Sequence, residues 1–139
     1  MTGRKRHIVV DTLGLLLNVV VHRANVQDRD GVRRLLRNAR RRFPSILKLF
    51  ADAGYQGPRV AQVVADIGSW QIEIVKRTEA HNFSVLPKRW IVERTFAWIS
   101  RNRRLARDFE RYACTVVAFI RLAMIRLMLR RLTRPIHCS

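Results

Sequence analysis

Two apolar runs, residues 7–10 and 15–21, flank the tetrapeptide Asp11-Thr12-Leu13-Gly14. β-Branched and leucine-rich segments around a polar, glycine-ended break predict a two-stranded hairpin with its turn at Asp11 to Gly14. Further on, Val32, Leu35, Leu36, Ala39 and Phe43 fall at i, i+3, i+4, i+7 and i+11, the apolar stripe of an amphipathic helix. Asp28 or Asp30 is placed to cap that helix, and Pro44 ends it. Arg33, Arg34, Arg37, Arg40, Arg41 and Arg42 fill its other faces.

Residues 47–51 predict a buried strand stopping at Asp52-Ala53-Gly54-Tyr55, and residues 58–66 a short helix closing near Gly68. Residues 71–75 predict another strand. Pro87 suits a first helical turn and opens a long helix to about Arg107, and an apolar helix follows over residues 113–132. The order hairpin, helix, strand, helix, strand, helix, helix defines an α/β (α+β) class with a mixed sheet. At 139 residues the chain forms one domain with a modest core.

Charge narrows the function. There are 28 Lys+Arg against 10 Asp+Glu, a net +18, and only Lys5, Lys48, Lys76 and Lys88 are lysines. An excess of guanidinium, whose fork matches phosphate oxygens, implies a polyanionic partner, most often nucleic acid. Arg121, Arg126, Arg130 and Arg131 interrupt the apolar tail, which excludes a membrane span needing about 20 nearly uncharged residues. Cys114 and Cys138 make no metal spacing and no expected disulfide. With no cleavage pattern after Met1-Thr2-Gly3-Arg4-Lys5-Arg6, the expectation is a reducing cytoplasm. His7, His22, His81 and His137 form no ligand spacing.

Two acids stand out. Asp52 falls just past the end of a predicted strand, where ligands collect in α/β sheets. It also fits an Asx-type turn with Gly54. Glu93 lies in Arg89-Trp90-Ile91-Val92-Glu93-Arg94-Thr95-Phe96. There helical spacing puts Arg89, Trp90, Ala97, Ser100 and Arg104 on its side, and Val92, Phe96, Ile99 and Ala106 on the buried one. An Arg89–Glu93 ion pair at i, i+4 would explain it; so would a metal site, since Mg²⁺ takes a few carboxylates plus water and phosphate oxygens. Arg101-Asn102-Arg103-Arg104 and Arg40 to Arg42 are candidate phosphate contacts, and Trp90 and Trp98 are packing aromatics.

Four blocks occur in one order: Gly3-Arg4-Lys5-Arg6-His7-Ile8-Val9-Val10-Asp11-Thr12-Leu13-Gly14, Ala24-Asn25-Val26-Gln27-Asp28-Arg29-Asp30, Ala51-Asp52-Ala53-Gly54-Tyr55, and the segment from Arg89 to Phe96. Together they resemble the catalytic domain of DDE-type transposases of bacterial insertion sequences, over nearly the whole chain. The resemblance implies an RNase H-like fold over residues 3–112 with an apolar helix after it. It also implies three acids holding two Mg²⁺ ions (Mn²⁺ as substitute), about 3.5–4 Å apart, for in-line strand cleavage and transfer at transposon ends. By position Asp52 resembles the second Asp and Glu93 the Glu; both would be catalytic and metal-binding. Arg89 resembles the family's basic residue near the cut DNA end, and Arg94, Arg101, Arg103 and Arg104 join it as DNA-binding candidates. Leu86 and Ser100 depart from the family's Tyr and Lys.

The family's first Asp lies on a strand upstream of the Gly3 block. The expectation is therefore a truncated domain, inactive alone, whose sheet lacks a central strand and which needs a homo-oligomer or an upstream companion polypeptide. The competing expectation is a non-catalytic basic DNA-binding module.

Overall fold

The two apolar runs do form a hairpin, and it is buried on both faces. In the computed structural model, which describes residues 3–68, 70–75 and 89–133, β1 (Arg4–Val10) pairs antiparallel with β2 (Leu16–Arg23). Asp11 closes the turn, its Oδ1 accepting from the backbone N–H of Leu13 (2.9 Å) and of Leu15 (2.8 Å). Alternation along β2 sends Val20 to one core and Val19 and Val21 to another. Burial on both sides is why this strand reads as an unbroken apolar run rather than as alternation.

On the Val9–Val20 face lies α1 (Asp28–Arg42). Its stripe Val32, Leu35, Leu36 and Ala39 is buried, and with Val60 and Val64 of α2 (Pro58–Ile67) and with Trp70 it makes the first core. The cap differs from expectation: Gln27 occupies the N-cap position without a side-chain bond, and Asp28 and Asp30 sit inside the first turn. There their charge faces the positive end of the helix dipole. The helix stops at Phe43, whose N–H still bonds Ala39 O at 2.9 Å, and Pro44 cannot continue the ladder.

The other face carries α3 (Arg89–Ser100) and α4 (Ala113–Leu132). Ile99, Leu105, Val116, Ile120 and Met124 pack there on Val19 and Val21. Two expectations for α3 are corrected. Its buried line is Ile91, Thr95 and Ile99, while Val92 and Phe96 are half-buried and Ala106 is exposed. It also ends at Ser100, not near Arg107. Asn102 turns the chain: its amide donates to Trp98 O and Ile99 O, both at 3.1 Å, and its backbone is extended. A side chain that bonds local carbonyls offers the backbone an alternative to helix, and a single 3-10 turn, Arg103–Leu105, then buries Leu105. Pro87 lies outside the described residues.

The remaining strands, β3 (Lys48–Asp52) and β4 (Gln71–Val75), are parallel, with Lys48↔Gln71 through Asp52↔Val75 in register and α2 between them. Among the described residues the four strands make two two-stranded sheets rather than one mixed sheet; the mixed α/β class stands. β3 is not buried as expected, because Lys48, Phe50 and Asp52 face solvent while Leu49 and Ala51 turn inward. A 2.6 Å Lys48–Glu73 ion pair lies across that outer face. No helix among the described residues is long and apolar enough to cross a membrane.

Candidate functional site

Asp52 is the last residue of β3 rather than the first beyond it, and it is exposed. It caps the 3-10 turn Ala53–Tyr55, with Oδ1 accepting from Gly54 N–H at 2.9 Å. The Asx-type turn is thus real, and it fixes one oxygen of the carboxylate. A methyl group on Gly54 would meet Asp52 Oδ1 at 3.1 Å and Asp28 Oδ2 at 3.5 Å. Two carboxylates, from β3 and from the first turn of α1, therefore flank the same bare backbone. In the sequence Asp28 stands only as a capping residue. Its further signal there is its place in the Ala24 to Asp30 block.

Behind this pair lies a polar cluster that spacing did not reveal. His7 of β1 is buried, stacks on His22 of β2 with ring centroids 4.4 Å apart, and has Nδ1 2.5 Å from the Tyr55 hydroxyl. His7 Nε2 lies 4.0 Å from Asp28 Oδ1, which also takes Lys5 Nζ at 3.1 Å. Burial first, then the carboxylates of Asp52 and Asp28, push the Tyr55 phenol well above its ordinary range. It stays protonated and can donate to His7 Nδ1; assigned on that bond, the ring carries its proton on Nε2, toward Asp28. Burial, with His22 adding to it, lowers the His7 pKa and keeps the ring neutral, although Asp28 pulls the other way. His81 and His137 lie outside the described residues.

Glu93 is exposed on α3. That helix is held against the hairpin turn by its neighbours. Thr95 Oγ1 donates to Gly14 O at 2.7 Å, and Arg94 Nη2 to Leu13 O at 2.7 Å. The Arg94 guanidinium sits 4.4 Å from the Trp90 ring centre and 4.8 Å from that of Trp98, cation–π distances. Gly14 allows this approach, since it has φ +79° and a Cβ there would meet Thr95 Oγ1 at 2.9 Å.

The candidate DNA-contacting arginines are placed differently from one another. Arg94 is half-buried in its tryptophan clamp. Arg104 holds Glu110 through two bonds, 3.0 and 2.6 Å, and lies over Phe119. Arg101 and Arg103 are exposed. The side chain of Arg89 and residue Leu86 lie outside the described part. Among the described residues no three His, Cys, Asp or Glu side chains gather to hold a metal ion, so Asp52 and Glu93 do not complete a metal centre by themselves. Cys114 is free and exposed; Cys138 lies outside the described residues.

Residues 1–128 match the family described as the transposase DDE domain, and the chain belongs to that family. A Burkholderia cepacia protein that carries the name of transposase for insertion sequence element IS402 is 35% identical over 129 residues, which is 86% of this chain. The chain spans 60% of that relative's length. No solved structure matches it.

Proposed function

We propose that this chain is the RNase H-like catalytic part of an insertion-sequence transposase, with Asp52 and Glu93 as metal-binding carboxylates for strand cleavage and strand transfer at transposon ends. The observation that carries the reading is Asp52 at the exposed carboxyl end of a parallel strand, one oxygen fixed by Gly54 N–H and the rest of the carboxylate available. Open α/β sheets collect ligands at that edge. An antiparallel hairpin and a parallel strand pair forming separate sheets also suit an RNase H-like sheet whose central strand runs between them. That strand, on this polypeptide or a companion, is where the third carboxylate belongs.

The donor set fits a hard ion: exposed carboxylates, no thiolate, and imidazoles turned to a phenol and to each other. Mg²⁺ or Mn²⁺ held by Asp52 and Glu93 would supply activation of water or a DNA 3′-hydroxyl and charge stabilisation at the leaving oxygen. The chain's own residues do the rest. Asp28, steadied by Lys5, keeps a second negative charge beside Asp52, and the His7–Tyr55 bond pins the Asp52 turn to β1. Arg101 and Arg103 offer phosphate contacts near α3, while Arg94 and Arg104 hold that region in shape. Strand transfer by the protein bearing this domain should vanish in Asp52→Asn and in Glu93→Gln. Retention of transfer in either would reject the assignment.

A non-catalytic DNA-binding module is the second reading, favoured by the lack of a three-ligand metal group among the described residues. It requires DNA binding without any metal-dependent chemistry in the whole protein. Leu122, Ile125, Leu129 and Leu132 lie exposed along α4 at i, i+3, i+7 and i+10, a seam that supports self-association. Sedimentation should show a species larger than the monomer that Leu122→Glu with Leu129→Glu dissociates; a monomeric parent would reject it.

A further inference from the structure

We propose that the groove between α1 and α2 is a second DNA-backbone site, apart from the carboxylates and from the arginines of α3. Arg33, Arg37, Arg40 and Arg41 line a concavity of about 280 Å³, closed on the α2 side by Asp66 and Ile67. Its one carboxylate is already engaged: Asp66 takes Arg33 Nη2 at 3.0 Å and Gln62 Nε2 at 2.8 Å. Arg40 is tied down as well, donating to Pro44 O at 2.7 Å with its guanidinium 5.7 Å from the Trp70 ring centre. Arg37 and Arg41 are exposed and, among the described residues, make no ion pair.

An arginine run on a helix is ordinarily a solvated face. This one differs because four of its arginines line one concave surface. Four positive charges against one carboxylate repel one another, and a cleft with protein walls concentrates their field. Such a site gains from a polyanion whose charges repeat at short intervals, which duplex DNA supplies at about one per 1.7 Å of its axis. Arg33 and Arg40 are held by their own hydrogen bonds, and Arg37 and Arg41, one helical turn apart, present two forks suited to phosphate oxygens.

Helix α1 also sets the spacing. At about 1.5 Å rise and 100° per residue, Arg37 and Arg41 stand about 14 and 20 Å along the axis from Asp28 and on the opposite side of the helix, which keeps the groove apart from the Asp52 turn. The site rests on the DNA-handling reading, yet its binding requires no metal and no chemistry.

The test is equilibrium binding of the 139-residue chain to a short duplex of random sequence in EDTA, over a series of salt concentrations. Arg37→Gln with Arg41→Gln should weaken binding by roughly tenfold at moderate salt and make the log K against log salt slope shallower by about 1.8, at about 0.9 per phosphate contact. Arg37→Lys with Arg41→Lys, which keeps the charges, should retain the parent slope. An unchanged isotherm in the Gln double variant overturns the proposal, as does a loss seen only on single-stranded RNA or anionic vesicles. Because the measurement is metal-free, failure here leaves the Asp52 and Glu93 chemistry standing, and failure of that chemistry leaves groove binding measurable.

Discussion

His7 Nδ1 lies 2.5 Å from the Tyr55 hydroxyl, joining β1 to the turn that carries Asp52 although the two belong to different sheets. Tyr55→Phe removes the donor and leaves a ring nitrogen of a buried imidazole unpaired. It should lower stability by about 1–3 kcal/mol, read by urea denaturation. It should also lower strand transfer without weakening metal-free DNA binding. Equal stability in the Phe variant would show that the bond does not hold the turn.

The same histidine makes stability pH-dependent. Its folded pKa is lowered from 6.5 by burial and by His22, so near that value the unfolded chain binds more protons than the folded one. Stability from this group is fully present above about pH 6.5, falls as pH drops below it, and stops falling once the folded pKa is passed. The charge of Lys5 lowers the His7 pKa further, while the carboxylates of Asp28 and Asp52 act in the opposite direction. His7→Gln should flatten the acid side of the stability profile between pH 7 and 5 (a window of about two units around the ordinary histidine value). A profile that keeps its full slope in the variant would assign it to other groups.

At the hairpin turn, Gly14→Ala forces a Cβ into the left-handed region and against Thr95 Oγ1. The expected loss is roughly 1–3 kcal/mol. Arg94→Ala should destabilise as well, by losing the Leu13 bond and the tryptophan contacts, and should shift Trp fluorescence. If Arg94→Ala weakened only DNA binding, with melting unchanged, the clamp would be secondary to a phosphate contact.

Much of this architecture is legible from patterning. The α1 stripe, the Asp11 turn and the bounds of β4 and α4 follow directly from periodicity and breakers. Where side-chain hydrogen bonds compete with the backbone, patterning fails: Asn102 stops a helix whose apolar residues continue to Leu105. It also fails for relations between distant elements. Asp28 and Asp52 are 24 positions apart, and only the packing of α1 against the β3 turn places them around Gly54. Only the order of blocks marks Asp52 and Glu93, since charge pairing explains Glu93 and an Asx turn explains Asp52 just as well locally. The exposure of β3 does not follow from patterning, because Leu47, Leu49, Phe50 and Ala51 are apolar around the single Lys48, yet Leu47 and Phe50 face solvent.

The most direct test of the central claim is strand transfer of transposon-end DNA by the protein bearing this domain, with Mg²⁺ and then Mn²⁺, for the parent, Asp52→Asn and Glu93→Gln. The account predicts metal-dependent joining by the parent and background levels in both variants, with DNA binding kept. Joining that survives either substitution would contradict it.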